Sequence, residues 1–322
     1  MSATPIVAIV GPTAVGKSEL ALLLAEALDG EIVSADSRQV YRHLDIGTAK
    51  PSASERARVR HHLLDVVDPD VPFDAATYRT HALAAIRDIV GRGRRPIVCG
   101  GTGLYVRALL RGLFRGPPAA PALRQALYDR EVREGAGTLH RRLAECDPVT
   151  AARLHPRDLV RIVRALEVRA LTGRPISAWQ DEHGFGDTRL AALVLGCARP
   201  RAELAVRIAA RCDAMLAGGL VEEIGALAAC GWGPALAPLR SVGYRELGAH
   251  LRGACDLAAA RAAFVRATCR LAKRQMTWFR AEPAVRWIHP ERERADALAL
   301  ARDWLTPAWP SPTSSSSAPS PR

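Results

Sequence analysis

The residues Gly11-Pro12-Thr13-Ala14-Val15-Gly16-Lys17-Ser18 set two glycines, a lysine and a hydroxyl at the spacing G-x4-G-K-S. A loop framed by glycines can wrap an anion with its backbone N–H groups, which side chains at those positions would obstruct. Lys17 can reach terminal phosphates as a point charge, and Ser18 can ligate magnesium. The motif implies polyphosphate binding without saying which polyphosphate or which bond is broken. Further chemistry gathers at Asp36, which can act as a carboxylate beside magnesium, as a general base, or as a cap on the next turn. Thr102, after Gly100-Gly101, offers a hydroxyl to a phosphate or a polar substrate where the chain can approach a ligand closely.

These groups need elements to hold them. Ile6–Val10 is a short apolar run, and Glu19-Leu20-Ala21-Leu22-Leu23-Leu24-Ala25-Glu26 is a strong helix former, so the glycine loop joins a strand to a helix. Glu31–Ala35 reads as a second strand ending at Asp36. Pro96–Cys99 reads as a third, running into Gly100-Gly101-Thr102-Gly103 and a helix to about Leu110. Phe73, Ala76, Tyr78, Ala82, Ile86 and Ile89 have helical spacing. Repeated strand–helix units predict an α/β fold, a parallel sheet flanked by helices, and in such sheets the C-terminal strand ends line the ligand crevice. His61-His62 opens a further strand that stops at Pro69; adjacent strand residues point to opposite faces, which argues against joint metal ligation.

The pattern changes at Gly112–Pro121, a linker. Residues 122–185 read as helices, at about 122–133, 138–146, after Pro148, and 158–171. Arg157, Arg161 and Arg164 fall at helical spacing and can form one basic face. Leu190–Gly196 returns to the sheet as a strand. Arg201–Leu216 is a helix with Arg207 and Arg211 one turn apart, and 238–247 is a loop entering another helix. Asp256–Arg280 is a long helix that carries Arg261, Arg266, Arg270, Lys273, Arg274 and Arg280 without an acidic residue after Arg261. Trp278 and Phe279 follow on it. Basic residues interleaved with aromatics suit phosphate-backbone contact and stacking on an unpaired base. The domains predicted are a core of 1–111 with 190–309, an inserted small all-helical domain of 112–189, and a disordered Pro/Ser tail of 310–322.

Composition fits this outline. The chain has 322 residues and a formal net charge of +12, whose sign favours an anionic partner. Its seven cysteines include no C-x2-C or C-x4-C pair, which argues against a zinc finger or a disulfide scaffold. Ile6–Val10 and Leu190–Gly196 are too short to span a membrane, and no basic region precedes the first run, so a cytoplasmic enzyme without membrane partners is expected. A small-molecule kinase would share the phosphate loop and the carboxylate. Two strongly basic helical regions favour a large anionic acceptor, with RNA the leading candidate.

The chain also resembles the bacterial tRNA dimethylallyltransferases (tRNA isopentenyltransferases) over about residues 6–305. The resemblance rests on Gly11–Ser18, Asp36-Ser37-Arg38-Gln39-Val40-Tyr41, Asp45–Pro51, Gly100–Tyr105, Arg164-Ala165-Leu166-Glu167-Val168, Val242-Gly243-Tyr244-Arg245 and Ala272–Arg280, in that order. It implies a P-loop NTPase-like core and transfer of a dimethylallyl group from its diphosphate to N6 of the adenosine on the 3′ side of the anticodon, with diphosphate leaving. It implies Asp36 as the base, with Lys17, Thr102 and Arg211 as further catalytic residues. Diphosphate contacts fall on Gly11, Thr13, Ala14, Val15, Gly16, Lys17, Ser18 and Arg211, and magnesium on Ser18. Contacts to the tRNA anticodon stem-loop fall on Asp36, Ser37, Arg38, Gln39, Val160, Arg161, Arg164, Arg240, Tyr244, Lys273, Arg274, Gln275, Trp278 and Arg280. Family members grip the loop between the first domain and the insertion, and a monomer is the expected state. Relatives that prenylate free AMP lack such an insertion, and residues 112–185 disfavour that alternative. Ser18 replaces a threonine common in some members, His62 stands where arginine is frequent, and the zinc finger of eukaryotic members has no counterpart. A P-loop kinase of a nucleoside or small metabolite is the alternative enzyme, and a basic RNA-binding protein with a vestigial loop the non-enzyme one.

Overall fold

Five residues in a row, Ile6–Val10, are fully buried, which is what a central parallel strand covered on both faces requires. The computed structural model describes residues 3–114, 116–184, 186 and 189–306. The predicted tail at 310–322 lies outside the described residues. The chain divides into two compact units, Met1–Leu110 with Thr188–Arg322, and Arg111–Asp187.

The first unit contains β1 (Thr4–Val10), α1 (Lys17–Ala27), β2 (Gly30–Ser34), α2 (Ala53–Arg58), β3 (His61–His62), α3 (Ala75–Gly91), β4 (Arg95–Gly100) and all but the last residue of α4 (Gly103–Arg111). The second unit contains α5 (Pro121–Glu134), α6 (Thr138–Cys146), α7 (Pro148–Arg153), α8 (Leu159–Thr172) and α9 (Ile176–His183). The chain then re-enters the first unit with β5 (Leu190–Cys197), α10 (Arg201–Ala217), α11 (Leu220–Ala229), α12 (Tyr244–Leu251), α13 (Leu257–Arg280), β6 (Val285–Ile288) and α14 (Arg294–Leu305). The sheet has six strands in the order β3-β2-β4-β1-β5-β6, and every pairing is parallel. The α/β parallel sheet flanked by helices expected from the sequence is therefore the observed fold.

Strand alternation assigns the two faces. Val7 and Ile9 join Leu20, Leu24 and Ala297 under α1 and α14, while Ile6, Ala8 and Val10 join Tyr78, Ile86 and Val106 under α3 and α4. A third cluster, which includes Ile208, Leu220, Leu247 and Phe264, binds α10 to α13 together. Among the described residues no helix is long and apolar enough to cross a membrane.

The structure corrects several expectations. The strand beginning at His61 does not run toward Pro69. It ends after His62, because Leu63 and Asp65 take φ of 64° and 56°, outside the extended region. His62 Nε2 lies 2.6 Å from Glu31 and His61 Nδ1 lies 2.8 Å from the Val59 carbonyl, so the two rings are held by different partners. Helix α8 starts at Leu159, one residue after its cap Asp158, which leaves Arg157 in the preceding turn and off the helical face shared by Arg161 and Arg164. Helix α9, after Pro175, falls in the helical stretch expected over 122–185, while the elements β6 and α14 are further structure not anticipated. β6 has four residues and pairs only along the sheet edge.

The insertion has its own core, with Leu139, Leu143, Ile162, Val163 and Val168 at or near zero exposure. At its centre Glu167 is wholly buried and accepts from Arg124 Nε and Nη2, both at 2.8 Å, from Arg164 Nη1 at 2.5 Å and from the Ala120 N–H at 2.7 Å.

Candidate active site

The phosphate loop is shaped from behind. Gly11 has φ of 140°, and a Cβ there would lie 2.7 Å from the Cys197 carbonyl of β5, so sheet packing as well as ligand access demands glycine. Gly16 has φ of 107° and precedes the first turn of α1. Two arginines hold the loop's carbonyls: Arg199 Nε donates to Val15 O at 2.7 Å and Arg207 Nε to Ala14 O at 3.0 Å. In a trans peptide the C=O and the following N–H point opposite ways, so these bonds turn the Val15 and Gly16 N–H groups to the other side of the loop. The Arg199 side chain is only 1% exposed and is ion-paired with Glu203 and Glu291. Sequence reasoning missed Arg199; its signal was an arginine just past the end of β5.

Lys17 and Arg211 face the inner side. Lys17 Nζ donates to the Pro12 carbonyl at 2.5 Å. Burial pushes the Lys17 ammonium below its ordinary pKa, and the nearby Arg211 adds to this while Asp36 opposes it. Burial likewise lowers Arg211, with Asp36 opposing. Cys99 and Cys197 supply no counter-charge, because burial raises their thiols to about 11 and about 12. Two cations thus share one carboxylate in a poorly hydrated pocket, an arrangement that a bound polyanion would complement.

Asp36 lies two residues past the end of β2, and its position is built by a close approach of β4 to Ala35. A Cβ at Gly100 would lie 2.1 Å from the Ala35 carbonyl, which accepts the Thr102 N–H at 3.1 Å. Thr102 Oγ1 accepts the Ser37 N–H at 3.0 Å. Asp36 Oδ1 accepts the Arg38 N–H at 2.8 Å, so the carboxylate does cap its turn. The loop that follows is pinned by Glu223, which accepts the N–H groups of Asp45, Ile46 and Gly47 at 2.9, 2.7 and 3.2 Å. The sequence held no sign of Glu223's part in this.

Two cavities meet here. A wide one of about 560 Å³ is lined by residues that include Asp36, Arg38, Thr102, Arg240, Arg270 and Arg274. A narrow one of about 70 Å³ runs past Lys17, Ser18, Gly101 and Cys99. Both are lined by Thr13, Asp36, Thr48, Arg211 and Gln275, and Asp36 is the one carboxylate among the described residues lining either. One end is suited to a small polyanion and the other to a larger ligand that brings its own negative charge.

The remaining candidates divide. Lys273, Arg274 and Arg280 are exposed on α13, and Val160 and Arg161 are exposed at the start of α8. Arg240 reaches the Pro234 and Ala235 carbonyls at 3.2 and 2.9 Å, and Arg38 the Ala237 carbonyl at 3.4 Å. Arg164 is committed to Glu167 and the Pro117 carbonyl inside the insertion. Gln39 spends its amide on the Thr48 and Ala49 carbonyls and on Ser34. Tyr244, placed at the RNA by resemblance, is 2% exposed, and its hydroxyl donates to Glu223 at 2.5 Å. Phe279 is 1% exposed in the sheet core and cannot stack on a base. The Trp278 ring packs against Gly103 and has the Arg107 guanidinium 4.6 Å from its centroid. Arg261, counted in the basic stripe, is paired with Asp213 at 2.6 Å.

Known proteins resemble this chain in sequence and fold. The chain is 52% identical to the tRNA dimethylallyltransferase of Geobacter sulfurreducens, over 89% of this chain and 92% of that one. It is 53% identical to that of Anaeromyxobacter dehalogenans, over 92% and 98%. The crystal structure of a tRNA isopentenylpyrophosphate transferase from Bacillus halodurans superposes with a TM-score of 0.69 at 36% identity, covering 94% of this chain and 96% of that one. A eukaryotic dimethylallyltransferase captured acting on tRNA gives 0.79 at 26% identity, covering 97% and 82%. The IPP transferase family model matches residues 39–282, most of both units, and with these relatives it settles the kinship: the chain belongs to the IPP transferase family.

Proposed function

We propose that this protein transfers the dimethylallyl group of dimethylallyl diphosphate to N6 of the adenosine 3′ to the anticodon in tRNA, releasing diphosphate. Dimethylallyl transfer to tRNA is the activity its curated relatives are named for, at about half identity over most of the chain. The observation that carries the reading is the position of Asp36 and Arg211, which line both the phosphate-loop cavity and the arginine-rimmed one.

The chemistry follows from that position. The exocyclic nitrogen of adenine is a poor nucleophile, because its lone pair is conjugated with the ring. Asp36 accepts a hydrogen bond from N6–H and then the proton as the C–N bond forms. The allylic C–O bond breaks, and its electron pair leaves with the diphosphate. Lys17, Arg211 and the inward N–H groups of the loop stabilise the charge that develops on the departing oxygen. Thr102 holds the turn that carries Asp36. Ser18 is exposed at the loop, and its hydroxyl would join diphosphate oxygens and water in a donor set that fits a hard cation such as magnesium. When bound there, magnesium neutralises part of the diphosphate charge. Lys273, Arg274 and Arg280, exposed on α13, contact the phosphates of the anticodon stem-loop. The target base leaves the loop stack at a cost of a few kcal/mol.

The test mixes the purified protein with magnesium, radiolabelled dimethylallyl diphosphate and unmodified tRNA, with parallel reactions on AMP and on γ-labelled ATP. Label that maps to an N6-alkylated adenosine beside the anticodon is expected. Label only in AMP would move the activity to free nucleotides, and label only from ATP would make the protein a kinase.

A further inference from the structure

Gln275 sits on the basic helix α13, flanked by the exposed Arg274, yet its side chain points into the site. Its Oε1 accepts the Thr13 N–H of the phosphate loop at 2.9 Å, and its Nε2 donates to the Gly101 carbonyl at 3.0 Å. A backbone N–H can only donate and a carbonyl can only accept, so these partners fix which way the amide faces. Three chain segments far apart in sequence thus meet on one planar group. Gly101 leaves space for nothing larger than hydrogen: a Cβ there would lie 2.4 Å from Gln275 Nε2 and 3.3 Å from the Gly11 carbonyl.

We infer that Gln275 is a positioning residue for the prenyl diphosphate, holding Thr13 and with it the phosphate loop in the shape that receives diphosphate, and is not a grip on tRNA. A loop held in its binding conformation before the ligand arrives binds without the cost of ordering. With the amide gone, the Thr13 N–H loses its partner, and the loop loses its tie to the end of β4. One N–H and one acceptor lone pair of the amide are used within the protein, and the exposed cations of α13, Lys273, Arg274 and Arg280, are the groups free to meet tRNA phosphates.

This role rests on the proposed diphosphate site, and the test separates the two. Inorganic pyrophosphate with magnesium is titrated calorimetrically into the full-length protein without tRNA, for wild type, Gln275→Ala, Gln275→Glu, Gly101→Ala and the double variant Gln275→Ala with Gly101→Ala. Gln275→Ala is expected to weaken pyrophosphate about ten-fold, the scale of one lost hydrogen bond. Its tRNA Kd should stay within about two-fold of wild type on the same scale. Gln275→Glu keeps an acceptor for Thr13 but sets an oxygen against the Gly101 carbonyl, and should lose affinity too. Gly101→Ala expels the amide and should match Gln275→Ala, and the double variant should be no worse than either single one. Unchanged pyrophosphate affinity with weakened tRNA binding would overturn the role, as would penalties that add in the double variant. A wild-type protein that fails to bind pyrophosphate would overturn the diphosphate site itself.

Discussion

Replacing Glu167 by glutamine should loosen the helical insertion without touching the phosphate site. The carboxylate is wholly buried, and burial by itself would push its pKa up. The Arg124 and Arg164 guanidiniums and the Ala120 amide more than offset this and hold it at about 2, against 4.5 for the unconstrained group. That difference corresponds to about 3 kcal/mol of stability at neutral pH. Because the folded pKa is depressed, the contribution is complete above the unfolded value of 4.5 and is lost as pH falls toward about 2. Glutamine keeps the shape but removes the carboxylate charge that both guanidiniums share at Glu167. Amide hydrogen exchange in Leu159–Thr172 should then be a few hundred-fold faster than wild type at pH 7, and only about ten-fold faster at pH 3, after correction for intrinsic rates. Pyrophosphate affinity should not change, since the loop lies in the other unit. Exchange within about three-fold of wild type at pH 7, or an equal gap at both pH values, would refute the reasoning.

Other expectations are as direct. Asp36→Ala should lower turnover by about 10²–10⁴-fold and leave tRNA affinity nearly intact; an equal loss of tRNA binding would remove Asp36 as the base. Lys273→Ala with Arg274→Ala should raise the apparent tRNA KM and flatten the slope of log affinity against log salt by about one to two, and binding unchanged across salt would count against these contacts. Tyr244→Phe removes the hydroxyl that bonds Glu223 and should cost about 1–3 kcal/mol in urea unfolding with no change in tRNA Kd. A fall in tRNA affinity without loss of stability would return Tyr244 to the RNA surface.

What could be read from the chain alone was what short stretches of it encode. Gly11 to Ser18 between a strand and a helix, the strand ends at Asp36 and Gly100, and the arginine-rich helix ending at Arg280 are local patterns, legible because backbone conformation and periodicity are decided within a few residues. The edge strand His61–His62 was misjudged in length because so short a strand carries no period and ends on the positive φ of Leu63. Which side of a helix faces the core is another matter. Phe279 reads as an aromatic beside basic residues and Tyr244 is placed at the RNA by resemblance, and only the packing of α12 and α13 buries them. The groups that set the phosphate loop were equally hidden. Arg199 reaches Val15 across 184 residues and Gln275 reaches Thr13 across 262, because the sheet order brings β5 and β4 to either side of β1. The sequence by itself determined the chemical groups and the local shape of the loop that holds phosphate. Only the tertiary structure decided which side chains stand behind that loop, because strand order and helix packing are settled by burying the whole chain's apolar surface at once.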